Sequence, residues 1–222
     1  MCATTPIAAV PPESARKASR RDAVWVILGS GVVALVLGSA AIWLIREQLH
    51  IRCSMGRPGS EGANTWTCID GVGYLMPAVV LGAMWFLAII VGTLTTGLVR
   101  HDRAARVVLV LLAAASAAWI LGFTRYGAGE LVDDAYAPIP GEQYWQDAVG
   151  PAAIACGISL MVAVVGLFLR GRLAVTLTLA AAFGLVVATV LQPGLSINTV
   201  PAAGLLAAAA IRARTPPLSP PP

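Results

Sequence analysis

Glu130, Asp133, Asp134, Glu142 and Asp147 are interleaved with Tyr126, Tyr136, Tyr144 and Trp145 in the stretch 124–148. Carboxylates beside aromatic faces attract quaternary ammonium or guanidinium groups, because the ring quadrupole and the negative charge pull in the same direction. Glu130, Asp133, Asp134, Tyr136, Trp145 and Asp147 are therefore candidate contacts for a cationic ligand or partner. The same residues also describe a solvated loop with an aromatic belt, since Trp and Tyr gather at membrane interfaces and acids are tolerated in exported loops.

A second constellation is Cys53 and Cys68, 15 residues apart and separated by Gly56, Pro58, Gly59, Gly62 and Asn64. In an oxidising exterior this flexible loop should close as a disulfide, constraining the unfolded chain by about 3 kcal/mol in the chain-entropy picture. Cys2 lies in the N-terminal tail and Cys156 inside an apolar run, where a thiol packs as a small apolar group.

Catalytic patterns are absent from the sequence. Ser30 in Gly29-Ser30-Gly31 and Ser159 after Gly157 have no His in their runs to serve as base, and read as small packing residues. His50 and His101 fall at opposite ends of apolar stretches and so cannot share a metal. No Cys-x-x-Cys, His-Glu-x-x-His or phosphate-loop pattern occurs, so neither an enzyme nor a bound metal or cofactor is expected.

The elements that must position these residues are dictated by composition. Of 222 residues 58% are apolar and 12% charged, with a mean hydropathy of +0.79; a water-soluble domain carries about 25% charged residues. A bilayer core needs roughly 20 apolar residues in a helix. Five runs free of Asp, Glu, Lys, Arg and His meet that need, at about 24–45, 72–99, 107–123, 149–169 and 173–191. A sixth, 195–211, is Ala-rich and interrupted by Asn198, Pro201 and Gly204, so it must lean on neighbouring helices. The expected fold is an all-α, polytopic transmembrane helix bundle of six spans, or five if 195–211 does not cross, with a disulfide-pinned outer loop cap. Residues 1–23 and 212–222 are expected as disordered cytoplasmic tails flanking a transmembrane domain at 24–211. Ser19-Arg20-Arg21 before an apolar run resembles a twin-arginine export signal, but that run exceeds the roughly 7 to 15 residues of a signal core and reads as a retained span.

Orientation follows from the basic residues, which cytoplasmic flanks retain. With six spans, 11 of the 15 Lys and Arg fall inside, while Arg46, Arg52, Arg57 and Arg125 fall outside. Eight of the 11 acidic residues lie outside, which makes the inner face +8 and the outer face −4. The pI near 9.2 thus reflects topology in the cell membrane rather than nucleic-acid binding. Fourteen Arg against one Lys, with abundant Ala, Val and Gly, is the usage of a GC-rich bacterial genome.

Small residues mark the faces where helices touch. Gly31, Ala34, Gly38 and Ala41 form one strip and Ala181, Gly184 and Ala188 another, at offsets of three and four that let a second backbone approach. Such strips serve internal packing or an interface with another subunit. Besides the lipid bilayer, the expected partners are other membrane proteins or a second copy of the chain. Two functions fit: a non-catalytic accessory or assembly component working through protein–protein contacts, and a carrier or pore for a small cationic or amphipathic solute entering from the outer face.

Overall fold

Long runs of Ala, Leu, Val and Gly without charge give the backbone few polar partners other than itself, and helices result. The structure, a computed structural model, describes residues 13–130 and 135–213; Cys2, Asp133, Asp134 and the tail from Arg214 onward lie outside the described residues. Seven α-helices appear among them: α1 (Glu13–Val36), α2 (Ser39–Trp43), α3 (Leu75–Leu98), α4 (Asp102–Gly129), α5 (Gly141–Phe168), α6 (Arg172–Leu191) and α7 (Ser196–Ala213). Five of the elements are long and apolar enough to cross a membrane, or six if the bent pair α1 and α2 counts as one span.

The run expected as one span at 24–45 is bent. At Leu37 and Gly38 the chain shifts to tighter bonds, Gly38 N–H to Leu35 O and Ala40 N–H to Leu37 O, and turns by 45°. Leu37 O also accepts the Ser196 hydroxyl at 3.2 Å, so a side chain from another helix holds the break open. A π-helical turn, Leu44–Gln48, follows α2. At its other end α1 starts at Glu13, within the tail expected to be disordered to residue 23, with Lys17 paired to Glu13 one turn away.

The helices α4 and α5 are each 28 residues, about 42 Å long. Both exceed the runs expected at 107–123 and 149–169. The α4 extension takes in Asp102, Arg103 and Arg106; the α5 extension lifts Glu142, Trp145 and Asp147 out of the expected loop onto a helix. The first loop holds a small antiparallel ribbon, β1 (Cys53–Met55) with β2 (Trp66–Cys68), in the register Cys53 to Cys68 and Met55 to Trp66. A 3₁₀ turn, Gly71–Tyr74, leads into α3.

The doubtful run 195–211 becomes the centre of the molecule. α7 packs along α1, α3, α4 and α6, with α5 outside against α4 and α6, and 83% of its apolar window is enclosed. Its weak apolarity has a physical reason. A helix walled by helices needs no lipid-soluble side chains, and Ala and Gly let the neighbours close in. Gly204 receives Ser30 of α1, and Leu205 fits over Gly92 of α3. α1 and α4 hold α7 as closely as its chain neighbour α6 does.

Candidate functional site

The bundle has two unlike ends. The hairpin end carries β1, β2 and the starts of α3 and α5; the arginine end carries Arg20, Arg21, Arg100, Arg103, Arg106, Arg170, Arg172 and Arg212.

At the hairpin end, the disulfide joins Cys53 and Cys68 across the ribbon. This places Trp66 so that its ring stacks on His50, centroids 4.4 Å apart and planes 10° from parallel, while Tyr144 of α5 meets His50 edge-on at 5.3 Å. His50 takes a left-handed backbone, φ 49°, to reach this position. Burial holds its imidazole below the usual pKa, a shift that the Arg46 backbone and the Glu47 charge partly offset. The Tyr74 hydroxyl donates to Ile51 O at 3.2 Å, tying the start of α3 to the same loop.

Beside this stack lie the residues read as a cation site. Trp145 is 8% exposed, its indole N–H donating to Thr124 Oγ1 at 3.0 Å. Arg125 lies 5.3 Å from the Trp145 ring centroid and pairs with Glu142. The guanidinium that acid and ring accommodate here is the chain's own. Glu130 is exposed at the end of α4 and lines a shallow recess with Gly122, Arg125, Tyr126 and Gly129. Asp147 is exposed on α5, Tyr136 lies in the turn before it, and Asp133 and Asp134 are outside the described residues.

Below the cap, uncharged polar groups descend along α7. Gln192 donates to Gln48 Oε1 at 2.8 Å and to Ala148 O at 2.7 Å, and its own Oε1 accepts from Gly194 N. Thr189 and Thr199 share a hydrogen bond of 2.7 Å, and Ser116 donates to Asn198 O at 2.9 Å. Asn198 itself is fully enclosed, and neither Oδ1 nor Nδ2 finds a partner among the described residues. An amide so placed forgoes hydrogen bonds at a cost of about 1–3 kcal/mol per unmet group.

At the arginine end, Arg212 is 1% exposed, its Nη1 and Nη2 donating to Thr96 O and Val99 O at 2.9 and 2.7 Å. Its Nε lies 2.9 Å from Asp102 Oδ1, close enough for a charge pair though not aligned as a hydrogen bond. Arg106 donates to Gly166 O at 3.0 Å, joining α4 to the last turn of α5.

The small-residue strips lie against other parts of the same chain. Gly31 faces Ile89 of α3, Gly38 faces Ile197 of α7, and Gly184 faces Ser159 of α5, while Ala34, Ala41, Ala181 and Ala188 are buried. Ser30 and Ser159 donate to Ile27 O and Ala155 O in their own helices. His50 and His101 stand at opposite ends of α3. No family model matches this chain, nor does any curated protein or solved structure.

The sequence pattern does not single out His50, Gln192 or Arg212 as residues that join elements. For Arg212 a signal was present. A basic residue directly after the least apolar run has a counterpart in Asp102, one acid amid the arginines at 100–106.

Proposed function

We propose that the chain is a multi-pass protein of the cell membrane, with α1 and α2 forming one bent span among six and both termini cytoplasmic. In this reading it is a non-catalytic accessory or assembly component that works through protein–protein contacts. The observation that carries it is the filled axis: α7 occupies the place a solute path would take, with Ala202, Leu205, Leu206, Ala208 and Ala209 fully enclosed. The orientation is supported by the arginine end, which matches the positive-inside rule, and by the disulfide at the other end, where an oxidising exterior would form it.

The test is a photo-crosslinking side chain placed at Ser60, on the exposed loop between β1 and β2, and at the exposed Leu111 on α4. A discrete protein adduct from Ser60, with lipid alone from Leu111, is the expected result. Lipid or nothing from both positions, with no protein retained in mild detergent, removes the accessory role. Reporters fused after residue 213 and at Ser60 should read opposite sides of the membrane.

A second reading, a carrier for a small cationic solute, is favoured by Asn198, whose amide is unmatched inside the bundle. Vesicles containing the protein would then accumulate a labelled organic cation, and Asp133→Ala with Asp134→Ala would slow that uptake. Uptake equal to that of empty vesicles eliminates the carrier.

A further inference from the structure

The arginine end holds more positive charge than the chain can neutralise. No Asp or Glu lies between Asp102 and Glu130, and none follows Asp147. The one nearby carboxylate on α4, Asp102, is engaged by Arg212; on α1, Glu13 pairs with Lys17 and Asp22 is exposed beside Arg20 and Arg21. Arg103 and Arg106 are three residues apart and so share a face of α4. Arg106 reaches Gly166 O on α5 with one N–H, and its Nε is enclosed without a partner among the described residues.

That contact fixes the level of the remaining groups. α4 leaves the arginine end as α5 returns to it, so the two helices are antiparallel. One turn outward from the Arg106–Gly166 contact, Arg103 on α4 comes level with Arg170, which follows Leu169 at the end of α5. Both are exposed, and neither has an acidic partner among the described residues. Toward the middle of the bundle, Val107 lies one turn from Arg103, while Val164 and Phe168 lie one turn apart on α5. Phe168 is 79% exposed. Helix spacing thus brings Arg103, Arg106 and Arg170 to neighbouring levels of the antiparallel α4 and α5, with apolar Val107, Val164 and Phe168 on the bilayer side of them.

We propose that this end of α4 and α5 binds the phosphate of an anionic phospholipid, with Arg103, Arg106 and Arg170 holding the headgroup and Val107, Val164 and Phe168 lying along an acyl chain. The chemistry is that of a phosphate diester: guanidinium N–H groups match its two free oxygens, and the apolar residues select a lipid over a free anion. The proposal rests on the membrane reading given above.

The experiment is native mass spectrometry of the full chain released from a neutral detergent, offered equal amounts of phosphatidylglycerol and phosphatidylcholine of the same acyl length. The wild type should retain phosphatidylglycerol in preference. The pair Arg103→Gln with Arg170→Gln, which keeps the Arg106 bond to Gly166, should lose about fivefold in that preference for each arginine removed. Arg57→Gln at the hairpin end should leave it unchanged. Equal retention of the two lipids by the wild type, or an unaltered preference in the double variant, overturns the proposal. So does full displacement of phosphatidylglycerol by inorganic phosphate, which would mark a site for the free anion. A wild-type chain that stays dissolved without detergent overturns the membrane reading itself, whereas a detergent-requiring chain without lipid preference overturns this inference alone.

Discussion

Arg212 on α7 and Asp102 at the start of α4 form a charge pair with Nε 2.9 Å from Oδ1, and the same guanidinium caps the Thr96 and Val99 carbonyls at the end of α3. One side chain therefore closes the turn between two helices and pins the central helix to both. Arg212→Met should lower stability by about 3 kcal/mol, since it strands a carboxylate and two carbonyls. Arg212→Lys should recover only part of this, because a single ammonium does not reproduce the fork. Thermal unfolding in detergent measures both, and a midpoint unmoved by Arg212→Met would show that water takes over those acceptors.

Gly194 sits where a Cβ would overlap the Leu44 side chain. Gly194→Ala is expected to destabilise by about 1–3 kcal/mol through overpacking. Leu44→Ala should cost less in the Gly194→Ala background than in the wild type, a coupling that contacting residues show. Gly82→Ala in α3, with open space around it, should be neutral or slightly stabilising.

Asn198→Leu should raise stability by about 1 kcal/mol, because it removes two unmet polar groups and leaves the Ser116 bond, which is to the backbone carbonyl, intact. A fall in the unfolding midpoint would instead show that the amide holds a partner in the working protein.

Reducing the Cys53–Cys68 bond, or replacing both residues by Ser, should free the ribbon while the helices persist. Limited proteolysis is then expected to cut within 56–65, and helical circular dichroism to stay constant. The loss in the chain-entropy account is about 3 kcal/mol. Collapse of the helical signal on reduction would contradict the separation of cap and bundle.

His50 has a folded pKa below the ordinary 6.5, with burial as the main cause. The unfolded chain therefore binds the proton more readily. Stability from this group is full above pH 6.5, falls as the pH drops from there to the folded value, and then levels off. Unfolding midpoints measured from about pH 7 to about pH 5 should decline in the wild type and decline less in His50→Gln. Equal slopes would remove His50 as the source.

Helices at the apolar runs and the Cys53–Cys68 bond were legible in the sequence, because charge-free stretches and paired thiols each allow few alternatives. The rank of α7 was not. Apolarity measures fitness for lipid, and a helix surrounded by protein is released from that demand, so the most buried element reads as the weakest. The reach of α4 and α5 was hidden by Asp102, Arg103 and Glu142, since charged residues at helix ends look like loop residues on a hydropathy scale. Trp145 and Glu142 were seen as neighbours in composition, but Arg125 was assigned to the loop charge and not to their company, because no periodicity yet linked α4 to α5.

The wall around α7 is an arc rather than a closed ring: α1, α3 and α4 pack in succession, α5 bridges α4 to α6 from outside, and among the described residues α1 and α6 do not pack along one another. Since α7 follows all of them in the chain, its entry has a ready door. Through the seam between α1 and α6 the central helix can enter sideways, with no need to thread lengthwise between the other walls. Arg212 then acts as a latch, holding α7 to the α3–α4 turn.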